Sequence, residues 1–127
     1  MFKKKIYITD EDLGRFEWSS DNWFSENSIS GLAVSVCGSK SEMYSTSLEQ
    51  AKKLIDSRQS IEREAIAYLG LNDIAHFSAL DQLYLSGIYS STENGVFDIE
   101  FGVNGWEDAY VLVHFKEGKP EALSLGD

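Results

Sequence analysis

The stretch FDIEFGV (Phe97–Val103) constrains this chain more than any other. Phe97, Ile99, Phe101 and Val103 alternate with Asp98, Glu100 and Gly102. Successive side chains of a strand point to opposite faces, so the segment predicts a strand with one buried face and one wet face. Such a strand needs partners on both edges and a cover for its apolar side. The next apolar run, AYVLVHF, supplies one partner. If Asn104-Gly105 alone made the turn, Phe101 would face Asp108 and bury a carboxylate, which is costly unless it is paired. Taking NGWED (104–108) as the loop sets Phe101 against Val111, Ile99 against Val113 and Phe97 against Phe115. That register keeps one face wholly apolar and is preferred. It also places Asp98 beside His114 on the other face.

The rest of the chain supplies the remaining strands and the cover. Ile6 and Ile8 fit a short leading strand. Phe16 and Trp18 alternate with Arg15 and Glu17, and the Ser19–Asn22 cluster reads as a turn. A tight turn there sets Trp18 opposite Trp23 and Phe16 opposite Ser25. Phe16, Trp18 and one of Trp23 and Phe24 are then core; by parity the other of that pair points away. Leu32, Val34 and Val36 form one face of a third strand that is uncharged on both sides, hence central.

A helical pattern follows. Ser47 with Gln50, or Thr46 with Glu49, has the spacing of a capping box. Leu48, Ala51 and Ile55, then Leu54, Ile61, Ala65 and Tyr68, form apolar stripes over residues 48–69. One long helix of about 20 residues is expected, bent near Gln59-Ser60 and stopped at Gly70, with a short second helix over residues 72 to about 80. Leu83, Leu85, Ile88 and Tyr89 make a strand with an irregularity near Gly87, and ENG (93–95) a hairpin turn. KEGKP (116–120) turns the chain into a last strand through Ala122, Leu123 and Leu125. The expected fold is α+β: an antiparallel sheet from N- and C-terminal strand blocks, with one long and one short helix on one face, as a single domain over 1–127.

Charge narrows the function classes. The net charge is −10, which disfavours phosphate backbones and anionic membranes and favours a basic protein partner. No stretch reaches the roughly 20 apolar residues of a membrane helix. Cys37 is the sole cysteine, so a disulfide within the chain is excluded and a cytoplasmic location is expected. From Gln82 onward eight acids face only Lys116 and Lys119. The acids Asp98, Glu100, Glu107 and Asp108, with Trp106 and His114, form the expected partner-binding surface, tryptophan being a favoured interface anchor.

Catalytic signals are sparse. Asp98 beside His114 is the pairing a general base uses, but the sequence sets no nucleophile next to it. Asp98 and Glu100 share a strand face about 7 Å apart, a spacing open to paired glycosidase acids and equally to a solvated strand. Asp10, Glu11 and Asp12 lack the calcium-loop pattern. Cys37 reads as an inert thiol and His76 as a packing or surface residue. No zinc, nucleophile-elbow or phosphate-loop spacing occurs, so no cofactor and no metal is expected.

The order LGRFEWSSDNWFSENSISGLAVSVCG, a long helix, then DAYVLVHFKEGKPEALSL resembles several bacterial domain families of unknown function. Gly14, Phe16, Trp23, Gly31 and Gly118 carry the resemblance. Some relatives of that kind accompany toxin genes as immunity proteins, so the resemblance implies an inhibitor that binds its toxin. The resulting expectation is a non-enzymatic protein-binding module, monomeric or homodimeric, immunity-like and directed at a basic toxin. The alternative is a small hydrolase or ligand-binding protein using His114 and Asp98.

Overall fold

A computed structural model of the chain describes residues 4–72, 74 and 78–127. The expected α+β architecture is present. An N-terminal meander comprises β1 (Tyr7–Asp10), β2 (Gly14–Ser19), β3 (Asn22–Ser25) and β4 (Ala33–Ser39), with β5 (Glu42–Met43) folding back on β4. Helices α1 (Ser45–Asp56) and α2 (Arg58–Leu71) follow, then a 3-10 turn at Leu80–Gln82. A second meander comprises β6 (Leu83–Ser90), β7 (Phe97–Val103), β8 (Trp106–Lys116) and β9 (Lys119–Gly126). The strands join in one sheet, ordered β1-β2-β3-β4-β6-β7-β8-β9. All neighbours are antiparallel except β4 and β6, the parallel seam that the helical crossover makes possible.

The core lies between one sheet face and the two helices. Phe16, Trp23, Val34, Val36, Ile88, Ile99, Phe101, Val111 and Val113 point inward from the strands. Ala51, Leu54, Ile55, Ala65 and Leu69 answer from the helices. α1 packs against β4 and β6, and α2 against β9. Each large apolar side chain buried this way contributes about 1.5–3 kcal/mol. Trp18 faces Trp23 and Phe16 faces Ser25, as the turn at residues 19–22 requires. Trp23 is fully buried, while Phe24 is turned outward. The Trp23 indole N–H donates to the carbonyls of Ser39 (2.8 Å) and Glu42 (3.1 Å), tying the β4–β5 turn to the core.

Two bulges keep the apolar faces in phase. On β6 the register shifts between Leu85 and Gly87, so Leu85 stays with Phe101 while Ile88 joins Ile99. On β9 a second shift, next to Pro120, aligns His114 with Ala122 and Val113 with Leu123. The β7–β8 turn reconciles both sequence alternatives. Its loop is the tight Asn104-Gly105 pair, since Val103 aligns with Trp106, yet a bulge beyond it absorbs residues 107–109. Phe101 therefore meets Val111, Ile99 meets Val113 and Phe97 stacks on Phe115 with centroids 4.6 Å apart.

The helices depart from expectation at both ends and in the middle. Ser47 does not cap: α1 begins at Ser45 behind Tyr44, without a side-chain cap. Ser47 is instead buried inside the helix, where its hydroxyl accepts the Cys37 N–H at 2.9 Å. The single long helix is two, broken at Ser57, whose backbone leaves helical geometry. The Arg58 guanidinium donates to the Ile55 carbonyl at 2.7 Å, satisfying an acceptor at the C-terminal end of α1. α2 also runs one residue past Gly70. The expected second helix lies partly outside the described residues, as does His76.

Candidate functional site

The sheet face opposite the helices is open, and its register can be read row by row. Phe24, Ser35, Tyr89, Asp98, His114 and Ala122 lie side by side across β3 to β9. The next row on β7 to β9 holds Glu100, Leu112 and Ser124. Beyond it Tyr84, Gly102, Tyr110 and Gly126 alternate across four strands. Each glycine there lies under a tyrosine ring. A Cβ on Gly102 would sit 2.4 Å from Tyr84 Cζ, and one on Gly126 2.3 Å from Tyr110 Cζ. Both rings remain solvent-exposed.

Asp98 and His114 are paired as expected: Nδ1 lies 2.7 Å from Asp98 Oδ1. On its other side Nε2 lies 2.7 Å from Ser124 Oγ. A carboxylate only accepts, so the neutral ring carries its proton on Nδ1 and accepts the Ser124 hydroxyl at Nε2. This row of carboxylate, imidazole and hydroxyl includes a serine that the sequence reading missed. Glu100 is held as firmly. The Ser86 hydroxyl donates to Oε1 (2.9 Å) and the Tyr89 hydroxyl to Oε2 (3.0 Å). Burial, then the Glu100 and Asp98 charges, push the Tyr89 phenol well above its usual pKa.

A cleft of about 480 Å³ opens on this face, lined in part by Phe24, Ser35, Tyr89, Asp98, Glu100 and Tyr110. It lies where β4 and β6 part company. Their parallel pairing lasts only from Ala33–Gly87 to Ser35–Tyr89. Beyond it Ser47 inserts between the strand ends, accepting the Cys37 N–H and taking the Ser90 hydroxyl on its carbonyl at 2.7 Å. Gln50 of α1 fixes the adjoining wall. Its amide nitrogen lies 3.1–3.3 Å from the Ser90 hydroxyl and the carbonyls of Ser91, Glu93 and Val96, and its oxygen accepts the Gly95 N–H at 2.7 Å.

The six residues expected to form one surface thus divide. Asp98, Glu100 and His114 share the open face. Trp106, Glu107 and Asp108 are exposed at the β7–β8 bulge, at one end of the sheet, where Trp106 aligns with Val103 of the helix-facing side. Among the remaining acids, Asp10 caps its own turn through the N–H groups of Asp12 and Leu13, and Lys52 pairs with both Asp10 and Asp12. Among the described residues no group of acids, histidines and cysteine is arranged to hold a metal ion, and no helix is long and apolar enough to cross a membrane. The Cys37 thiol donates to the Ser90 carbonyl at 3.4 Å. No family model, no curated protein and no solved structure matches this chain.

Proposed function

We propose that this protein is a non-enzymatic binding module whose open sheet face, acidic and aromatic, docks a basic protein; an immunity-like inhibitor of a basic toxin is the particular form we favour. One observation carries the reading. Asp98 and Glu100, each locked in orientation by hydrogen bonds, stand among the exposed rings of Phe24, Tyr84 and Tyr110 on a face the helices leave open. Fixed carboxylates give specificity and a fast, salt-sensitive encounter with cations, and rigid aromatic rings supply contact area at low entropic cost. The acids at the β7–β8 bulge extend the negative field beyond the face. A purified basic partner should associate more weakly as salt rises, and should lose most affinity to the double variant Asp98→Lys with Glu100→Lys. Tight association untouched by that charge reversal rejects the surface.

A second reading rests on Ser124. A hydroxyl on a histidine that a carboxylate orients is the signature of a nucleophilic serine. In that reading Ser124 Oγ attacks an ester carbonyl, His114 takes its proton and passes it to the departing alcohol, and water clears the acyl group. Neither His114 nor Ser124 lines the cleft, however. The row then serves to hold Asp98 at the cleft wall. A fluorophosphonate probe separates the readings: an adduct on Ser124 that disappears in His114→Ala supports hydrolysis, and an unlabelled protein retires it.

A further inference from the structure

The ionisable groups around the cleft are one-sided. Asp98 and Glu100 contribute carboxylates, Tyr89 a phenol and Cys37 a thiol, and among the described residues no lysine, arginine or histidine lines it. Aromatic residues Phe24, Tyr89, Phe97 and Tyr110 form part of the same walls, and Asn22, Ser35 and Ser91 add hydrogen-bonding atoms. The volume falls within the range of small-ligand pockets, about 300–1,000 Å³. Carboxylates fixed beside aromatic rings match one chemistry above others: a flat, delocalised cation that can stack on a ring while its N–H groups meet carboxylate oxygens. A guanidinium satisfies this better than an ammonium, being planar, more weakly hydrated and armed with several in-plane donors.

Resting on the basic-partner reading above, we propose that the cleft receives an arginine side chain of that partner, its guanidinium held by Asp98 and Glu100 among the rings of Phe24, Tyr89 and Tyr110. Each carboxylate is prepared for this. Ser86 and Tyr89 hold Glu100 from one side, and His114 occupies only Oδ1 of Asp98. Gln50 anchors the turn that carries Ser91 and Val96, so the wall is set before binding and little ordering cost falls on the complex.

The test is an amide-resolved NMR titration of the intact protein with N-acetyl-arginine methylamide, alongside the lysine and norleucine equivalents. The arginine probe should give saturable shifts clustered at Ser35, Tyr89, Ser91 and Asp98, with millimolar affinity, and the lysine probe should bind several-fold more weakly. The norleucine probe should leave those amides unmoved. Asp98→Asn and, separately, Phe24→Ala should each weaken the arginine probe about tenfold. Equal response to lysine or norleucine, shifts scattered over the acidic surface, or no loss in either variant overturns the proposal. Because the probes are small, such a failure leaves standing a salt-sensitive association with a whole basic protein. Loss of that association as well would bring down both readings.

Discussion

Replacing Gln50 tests how the helix layer shapes the open face. The side chain is buried and hydrogen-bonds along the whole turn between β6 and β7. In Gln50→Ala most of its partners keep another bond: the Ser90 hydroxyl still reaches Ser47, and the Ser91 hydroxyl still reaches the carbonyls of Glu93 and Val96. The Gly95 N–H loses its acceptor. A stranded donor costs about 1–3 kcal/mol, each lost hydrogen bond about 1 kcal/mol net, and the buried methylenes up to about 0.8 kcal/mol apiece. With water reaching part of the turn, the expected loss is about 2–4 kcal/mol. That lowers the melting midpoint by about 10 °C for a domain of this size. Gln50→Glu keeps an acceptor for Gly95 but turns an acceptor toward three carbonyl oxygens, so at neutral pH it should be no more stable than the alanine variant. Chemical denaturation gives the free energies, and hydrogen exchange at Gly95 reports the local release. An alanine variant within about 0.5 kcal/mol of wild type, or a glutamate variant equal to wild type, would refute the latch.

Other perturbations give equally definite outcomes. Trp23→Phe should cost about 1–3 kcal/mol by denaturant titration, since two carbonyls lose the indole donor and the ring shrinks. Gly38→Ala should destabilise by a similar amount, about 1–3 kcal/mol, because its Cβ would fall 2.2 Å from the Glu42 carbonyl oxygen and 2.8 Å from the Trp23 ring. Spectrophotometric titration should show one tyrosine ionising far later than the rest, and Glu100→Gln should bring it down. The folded pKa of Tyr89 lies above its unfolded value of about 10, so the unfolded state releases that proton first. Stability should therefore fall as pH rises through about 10, and Tyr89→Phe should remove that part of the slope.

Parity made most of the sheet legible in advance. The Trp18–Trp23 pairing followed from a turn two residues long, and the Asp98–His114 pairing from keeping one side of β7 apolar. The β6 irregularity was visible because Leu83, Leu85 and Ile88 change spacing from two to three. Ser124 was hidden by the opposite circumstance. Counting back from the Glu117-Gly118 turn without a bulge sets Ser124 against Val111, on the helix side. The extra residue after Pro120, which has no N–H to give the ladder, moves it to Leu112 and turns it toward His114. Ser47 was misread because its local spacing is that of a cap, whereas it lies inside the first turn of α1 and its hydroxyl accepts the N–H of Cys37 on β4. The break at Ser57 falls two residues before the expected bend and is complete, with no local proline or glycine to place it. The cleft depends on where two strands stop pairing, and that is set by what α1 inserts between them.

The parallel seam has a consequence for how the molecule comes to be. Within either meander, strands meet partners that are close along the chain, so those contacts form early and cheaply. The seam alone joins strands separated by about fifty residues, through three aligned pairs. Assembly is thus a closing of two ready-made leaves around one spine. Val34 and Ile88, aligned at its middle, are where a small truncation should slow the last step of folding most.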